Sequence, residues 1–90
     1  MSTSRVGPVI QASSLGRAII EVIQSLNEST EIIDRGSYLR VLVPGQCVLT
    51  RQAVEKKTGT PFKLPDDLEQ LMSSFKGDFS VTEDEARWDA

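Results

Sequence analysis

The sequence lacks histidine altogether and contains a single cysteine, Cys47. Histidine is the usual base at neutral pH, so its absence excludes Ser-His-Asp and Cys-His nucleophile systems and every metal motif that needs an imidazole. One thiol also excludes four-cysteine zinc and iron–sulfur sites. The glycines stand far apart, so no glycine-rich phosphate loop is present. These absences indicate that the function depends on a surface.

Long apolar runs and disulfide pairs are missing as well. No apolar stretch approaches the roughly 20 residues of a membrane-spanning helix, and the N-terminus has no basic segment followed by a long apolar one. Cys47 has no partner within the chain, which fits a reducing compartment. We therefore expect a cytoplasmic protein with one domain over residues 1–90, of which residues 1–5 form a flexible arm.

Basic clusters are scarce. The net charge is −3, and the acidic residues between positions 83 and 89 account for all of it. Lys56-Lys57 is the only adjacent basic pair, whereas a nucleic-acid surface normally needs a basic stripe that neutralises several phosphates. We therefore expect no nucleic-acid partner.

Carboxylate chemistry is the one catalytic possibility that the composition leaves open. Asp66, Asp67 and Glu69 lie close together, but in a polar segment where nothing obvious desolvates them. A carboxyl group that works as an acid near neutral pH needs a pKa raised by burial or by a neighbouring charge. Helix capping is the simpler interpretation, and a small carboxylate-dependent enzyme stays an alternative.

One amphipathic helix is the clearest local feature. Ser13 or Ser14 is a suitable N-cap, and the apolar residues that follow recur at helical spacing. The apolar positions are Leu15, Ala18, Ile19, Val22, Ile23 and Leu26. We expect Ile23 and its neighbours on this face to pack in the core against Val41 and Val43.

Short extended runs make up much of the remaining chain. Residues 6–10 suggest an edge strand, because Pro8 lacks the N–H that a central strand uses. Gly36-Ser37 separates extended runs at 32–35 and 38–43, and glycine at the first turn position suits a two-residue hairpin. Further strands are predicted at 47–49, 75–81 and 86–88, with a turn or bulge at 44–45.

Two short helices complete the prediction. Thr50 is a suitable cap for a helix over residues 51–58, and Gly59 is placed as its left-handed terminator. Residues 66–69 resemble a capping box that begins one or two helical turns, after which Ser73-Ser74 releases the chain. The strands form hairpins rather than βαβ units. We therefore predict a small α+β domain with a mostly antiparallel sheet packed against one long amphipathic helix, plus two short helices.

Large apolar residues are concentrated between positions 68 and 79. They are Leu68, Leu71, Met72, Phe75 and Phe79. The stretch is too irregular for one helix to bury them all, so some could form an exposed binding patch, or all five could complete a thin core. Both interpretations stay open. Arg35 and Tyr38, which flank the hairpin turn, form a second possible contact site.

Five further segments follow one another along the chain: Val6-Gly7-Pro8-Val9-Ile10, Ile33-Asp34-Arg35 with Tyr38-Leu39-Arg40-Val41, Gly45-Gln46-Cys47-Val48-Leu49-Thr50-Arg51, Gly59-Thr60-Pro61-Phe62 and Ser74-Phe75-Lys76-Gly77. In this order they resemble the effector, or coupling, proteins of bacterial soluble diiron monooxygenases. The resemblance covers roughly residues 6–88, and it is closer to the toluene and alkene monooxygenase branch than to the methane or phenol branches.

The resemblance implies a cofactor-free regulatory protein that binds the diiron hydroxylase of a multicomponent monooxygenase and promotes coupled hydroxylation or epoxidation of a hydrocarbon. The chain cannot be the oxygenase, because a diiron site of the Glu-x-x-His type needs histidine. A generic protein-interaction module is the alternative. The residues expected to face the hydroxylase are Leu71, Met72, Ser73, Ser74, Phe75 and Lys76, with Arg35 and Tyr38 as second choices.

Overall fold

The computed structural model describes residues 4–90. In chain order its elements are β1 (Arg5–Gln11), α1 (Ser14–Leu26), β2 (Glu31–Asp34), β3 (Tyr38–Pro44), β4 (Gln46–Thr50), α2 (Arg51–Thr58), α3 (Asp66–Leu71), β5 (Met72–Lys76), β6 (Asp78–Val81) and β7 (Glu85–Asp89). The predicted α+β class with antiparallel strands is therefore confirmed. No helix within residues 4–90 combines the length and apolar character that a membrane crossing requires.

The strands form two sheets, not the single sheet that the sequence predicts. Strands β2-β3-β1-β5 make a four-stranded sheet, and β4-β7-β6 make a three-stranded one. The chain passes between the sheets at Gly45 and again at Gly77, where φ is +78° and +102°. At Gly77 a Cβ atom would lie 2.6 Å from Val6 Cγ1, so only glycine fits this crossing without a shift. One predicted strand, 75–81, is thereby split into β5 and β6.

Strand β1 is central, which corrects the prediction of an edge strand. It pairs with β3 on one side and with β5 on the other. Its pairs with β3 include Val6 with Val43 and Val9 with Arg40, and Pro8 lies in the gap between them. The missing proline N–H therefore falls where the ladder to β3 is interrupted, so a central position is tolerated.

The predicted flexible arm is wrong for the described part of residues 1–5. Arg5 is the first residue of β1 and pairs with Pro44. The Ser4 carbonyl accepts a hydrogen bond of 2.8 Å from the Gly45 N–H. Residues 1–3 lie outside the described residues.

Helix α1 confirms the predicted N-cap and most of the predicted apolar face. The Ser13 hydroxyl accepts a hydrogen bond of 3.0 Å from the Gly16 N–H. Ile19, Val22 and Ile23 are buried in the same cluster as Val41 and Val43. Leu26 does not follow the pattern, since it is 43% exposed at the last helical position. At 13 residues, α1 is a medium-length helix rather than a long one, and it contacts strands of both sheets, β1 and β4.

Asn27 ties the end of α1 to the second sheet. Its side-chain Nδ2 donates to the carbonyls of Ile23 and Val48 at 2.8 and 2.9 Å. Its Oδ1 accepts from the Val48 N–H at 3.0 Å. These bonds satisfy a carbonyl in the last turn of α1 and the backbone of Val48 in β4. Asn27 therefore fixes the end of α1 to the second sheet.

The other local predictions are largely confirmed. The Thr50 hydroxyl caps α2 by accepting from the Ala53 N–H at 3.3 Å, and Gly59 ends α2 with φ +75°. The hairpin at Gly36-Ser37 and the final strand β7 are both present. The capping box is wrong: Pro65 occupies the N-cap of α3, and Asp67 Oδ2 accepts from the Lys63 N–H instead.

Gly16→Ala tests the contact between α1 and β1. Alanine is the better helix former by about 1 kcal/mol, so propensity alone predicts stabilisation. A Cβ atom at Gly16 would lie 1.9 Å from the Gln11 carbonyl oxygen, which requires the backbone to move. We expect this steric overlap to outweigh the gain in helix propensity. Gly16→Ala should therefore lower the free energy of unfolding by about 1 to 3 kcal/mol, as measured by thermal or urea melts. Gln24→Ala, an exposed change in the same helix, is the control, and a raised melting temperature for Gly16→Ala would contradict the expectation.

Candidate partner-binding surface

The four-stranded sheet has one face toward the core and one face outward. Leu39, Val41 and Val43 of β3 are buried, whereas Tyr38 and Arg40 alternate with them and are exposed. Residues that pair across strands share a face. One row of the outer face runs Ile33, Arg40, Val9 and Ser74 across all four strands.

A shallow depression of about 500 Å³ lies on this outer face. It is lined by Gly7, Val9, Arg35, Tyr38, Arg40, Ser73, Ser74, Phe75 and Lys76. A second depression of about 330 Å³ adjoins it and shares Tyr38 and Ser73. The second one is also lined by Gln11, Ser37, Gln70, Leu71 and Met72. We call the two depressions together the Tyr38–Phe75 surface.

The Tyr38–Phe75 surface contains all eight residues that the sequence suggested for partner binding. The sequence treated residues 71–76 and the pair Arg35 and Tyr38 as separate candidates, and the structure brings them together across β1. The sequence did not suggest the other lining residues, which are Gly7, Val9, Gln11, Ser37, Arg40 and Gln70. The alternation along β3 places Arg40 on the face of Tyr38, and this signal could have identified it.

The five apolar residues between positions 68 and 79 divide between core and surface. Leu68 is fully buried, while Leu71, Met72 and Phe79 are partly buried against the core. Phe75 is 47% exposed, and its ring centroid lies 5.4 Å from that of Phe79. Of the five, only Phe75 is therefore exposed enough to form part of a binding patch.

Phe75 and Tyr38 stand out among the exposed side chains of residues 4–90. The large apolar or aromatic residues that are exposed in this part of the chain are Leu26, Tyr38 and Phe75. Two of these three line the same depression. Their side chains lie on different faces of the sheet, because Tyr38 pairs with exposed Gln11 whereas Phe75 pairs with buried Pro8. Exposed aromatic side chains are typical of partner-binding sites, because each presents a large rigid area at little entropic cost.

Strand β5 presents this patch, and it begins at Met72, before the start of the predicted strand 75–81, so that Ser73-Ser74 belong to the strand. Val9 pairs with Ser74 and Ile10 pairs with Met72, so Ser73 is an extra residue in a bulge. Bulges re-aim side chains, and Ser73 lines both depressions. β5 is an edge strand, and polar residues interrupt its apolar ones, so apolar residues do not alternate along it. The sequence pattern therefore does not predict that this segment pairs with β1.

The carboxylate alternative gains no support from the structure. Asp66 and Glu69 are exposed on α3, and the Asp67 carboxylate caps the backbone at Lys63. Within residues 4–90, no cluster of three or more acidic or cysteine side chains could hold a metal ion. Cys47 is fully buried, and burial raises the pKa of its thiol to about 12, so it stays protonated as a core residue.

The fold and its exposed surface define a small α+β interaction domain. The chain belongs to the MmoB/DmpM family, whose sequence profile matches residues 4–89. It is 40% identical over 90 residues to the effector subunit of the alkene monooxygenase system of Xanthobacter autotrophicus strain Py2, covering 98% of this chain and 88% of that protein.

Solved structures share the same fold. One chain from a structure of a phenol hydroxylase–regulatory protein complex matches with a TM-score of 0.85 and 17% identity, covering 96% of this chain and 97% of that chain. A chain from another structure of such a complex matches with a TM-score of 0.78 and 20% identity, covering 93% of this chain and 99% of that chain.

Proposed function

We propose that this chain is the non-catalytic effector component of a multicomponent monooxygenase and that it binds the diiron hydroxylase of that system. The 40% identity to an effector subunit over 98% of the chain is the observation on which this proposal chiefly rests. The absence of histidine is consistent with it, because the oxygen chemistry then belongs to the partner. We propose a cytoplasmic setting, which the unpaired Cys47 favours.

The proposed docking region is the Tyr38–Phe75 surface. Its support is that exposed Tyr38 and the polar residues of β5 line adjoining depressions, and that Phe75, on the same edge strand, is also exposed. We propose that Leu71, Met72, Ser73, Ser74, Phe75 and Lys76 face the hydroxylase, together with Arg35 and Tyr38.

The proposed mechanism is differential binding. An effector changes its partner only if it binds one conformation of that partner more tightly than another. A coupling of about 1 to 3 kcal/mol shifts the partner's equilibrium by roughly 5- to 150-fold. We propose that the favoured conformation is the one in which the active-site helices and the substrate access are arranged for oxygen activation. The substrate is proposed to be a hydrocarbon, either an alkene or an aromatic compound.

Steady-state turnover tests the proposal. The hydroxylase, ferredoxin and reductase of the same system are assayed with and without this chain, and both product and NADH consumption are measured. We expect the chain to raise the rate of product formation and the amount of product per NADH, because it favours the competent hydroxylase conformation. The heat-denatured chain is the control. Equal rates and equal coupling with and without the folded chain would contradict the proposal and favour a generic interaction module.

A further inference from the structure

The first depression of the Tyr38–Phe75 surface is lined by three cationic side chains and by no carboxylate. The cations are Arg35, Arg40 and Lys76. None of the three forms an ion pair within residues 4–90, whereas Arg5, Arg51, Lys57 and Arg87 all do. This concentration of positive charge is notable in a chain whose net charge is −3.

Two carboxylates on strand β2, which pairs with β3, have other partners. Glu31 bonds Arg5 at 2.7 Å. Asp34 Oδ1 accepts a hydrogen bond of 2.8 Å from the Gly36 N–H in the hairpin turn. The positive charge of the depression is therefore not neutralised by the sheet itself, and a partner could supply the missing negative charge.

We propose that this depression recognises a carboxylate-bearing segment on the surface of the hydroxylase, an inference that rests on the proposed function. Tyr38 and Val9 provide the apolar contact, and the cations select for acidic side chains. Arginine suits this role because its planar guanidinium group can bind a carboxylate through two parallel hydrogen bonds. Three cations in one depression are few for nucleic acid, whose specific binders neutralise about 6 to 10 phosphates.

Salt-dependent titration of the hydroxylase tests the inference. The wild-type chain and the variants Arg40→Gln and Lys76→Gln are titrated at about 50 and about 200 mM salt. We expect each variant to raise Kd about 10-fold at the lower salt concentration and to reduce the dependence of Kd on salt, because one charge pair is lost. Arg40→Lys should keep most of the salt dependence, since the charge remains.

Lys56→Gln is the matched control, because Lys56 is an exposed cation outside both depressions and has no ion pair within the described residues. Thermal melts should be alike for all variants, since Arg40 and Lys76 are exposed. If wild type binds and stimulates the hydroxylase while Arg40→Gln and Lys76→Gln match Lys56→Gln, the inference is overturned and the proposed function stands. If wild type fails to bind, both are overturned. Binding of a duplex DNA oligonucleotide that these variants alone abolish would also overturn the inference.

Discussion

Replacing Ile23 by alanine is expected to lower the free energy of unfolding by about 2 to 5 kcal/mol. Ile23 is fully buried in the single core cluster of residues 4–90, and its backbone carbonyl also accepts the Asn27 side chain. The loss has two sources, namely the removed apolar contact and the cavity left behind. A domain of this size has only about 5 to 15 kcal/mol of stability, so the variant should melt at a much lower temperature. Urea unfolding followed by circular dichroism measures the change.

Leu26→Ala is the matched control for this measurement. Leu26 lies on the same helix and belongs to the same predicted apolar face, yet it is 43% exposed. Its truncation should change the stability by no more than about 0.5 to 1 kcal/mol. Equal losses for Ile23→Ala and Leu26→Ala would mean that α1 is rotated relative to the core.

The elements that the sequence predicts best are those whose signals are local. Ser13 and Thr50 cap helices through hydrogen bonds to residues three positions away, and Gly59 ends one through its own backbone conformation. A pattern of neighbours is enough to identify such elements. Leu26 shows the limit, because periodicity does not reveal that the chain turns away immediately after it.

The arrangement of strands could not be predicted in the same way. Pro8 favours an edge strand, but β1 is central. Pro8 is tolerated there because the ladder between β1 and β3 is interrupted at that position. The two-sheet division depends on crossings at Gly45 and Gly77, and at Gly77 the chain passes close to Val6. These are contacts between residues far apart in sequence, and local propensity carries no information about them.

The candidate site was predictable in its parts but not in its assembly. The sequence singles out Phe75 and Tyr38 for different reasons, and no local pattern indicates that β3 and β5 lie on either side of β1 in one sheet. Arg40 was passed over because an arginine on the polar face of a strand is ordinary. Its position becomes informative only when Lys76 and Arg35 are seen in the same depression.

Phe75→Ala is expected to weaken hydroxylase binding by roughly 30-fold or more, which corresponds to about 2 to 4 kcal/mol for an aromatic anchor at an interface centre. Phe75 is 47% exposed and its ring contacts that of Phe79. The same substitution should therefore lower the free energy of unfolding by only about 1 kcal/mol. Tyr38→Ala should weaken binding as well, because Tyr38 lines both depressions. Titration of the hydroxylase beside thermal melts separates the two effects.

Leu26→Ala again provides the control, since it removes a similarly exposed apolar side chain outside both depressions. It should leave the titration curve unchanged. A large fall in the melting temperature of Phe75→Ala with unaltered affinity of the folded protein would show that Phe75 serves the core. Normal affinity for both Phe75→Ala and Tyr38→Ala would place the hydroxylase contact outside the Tyr38–Phe75 surface, because these are the two exposed aromatic residues among those that line it.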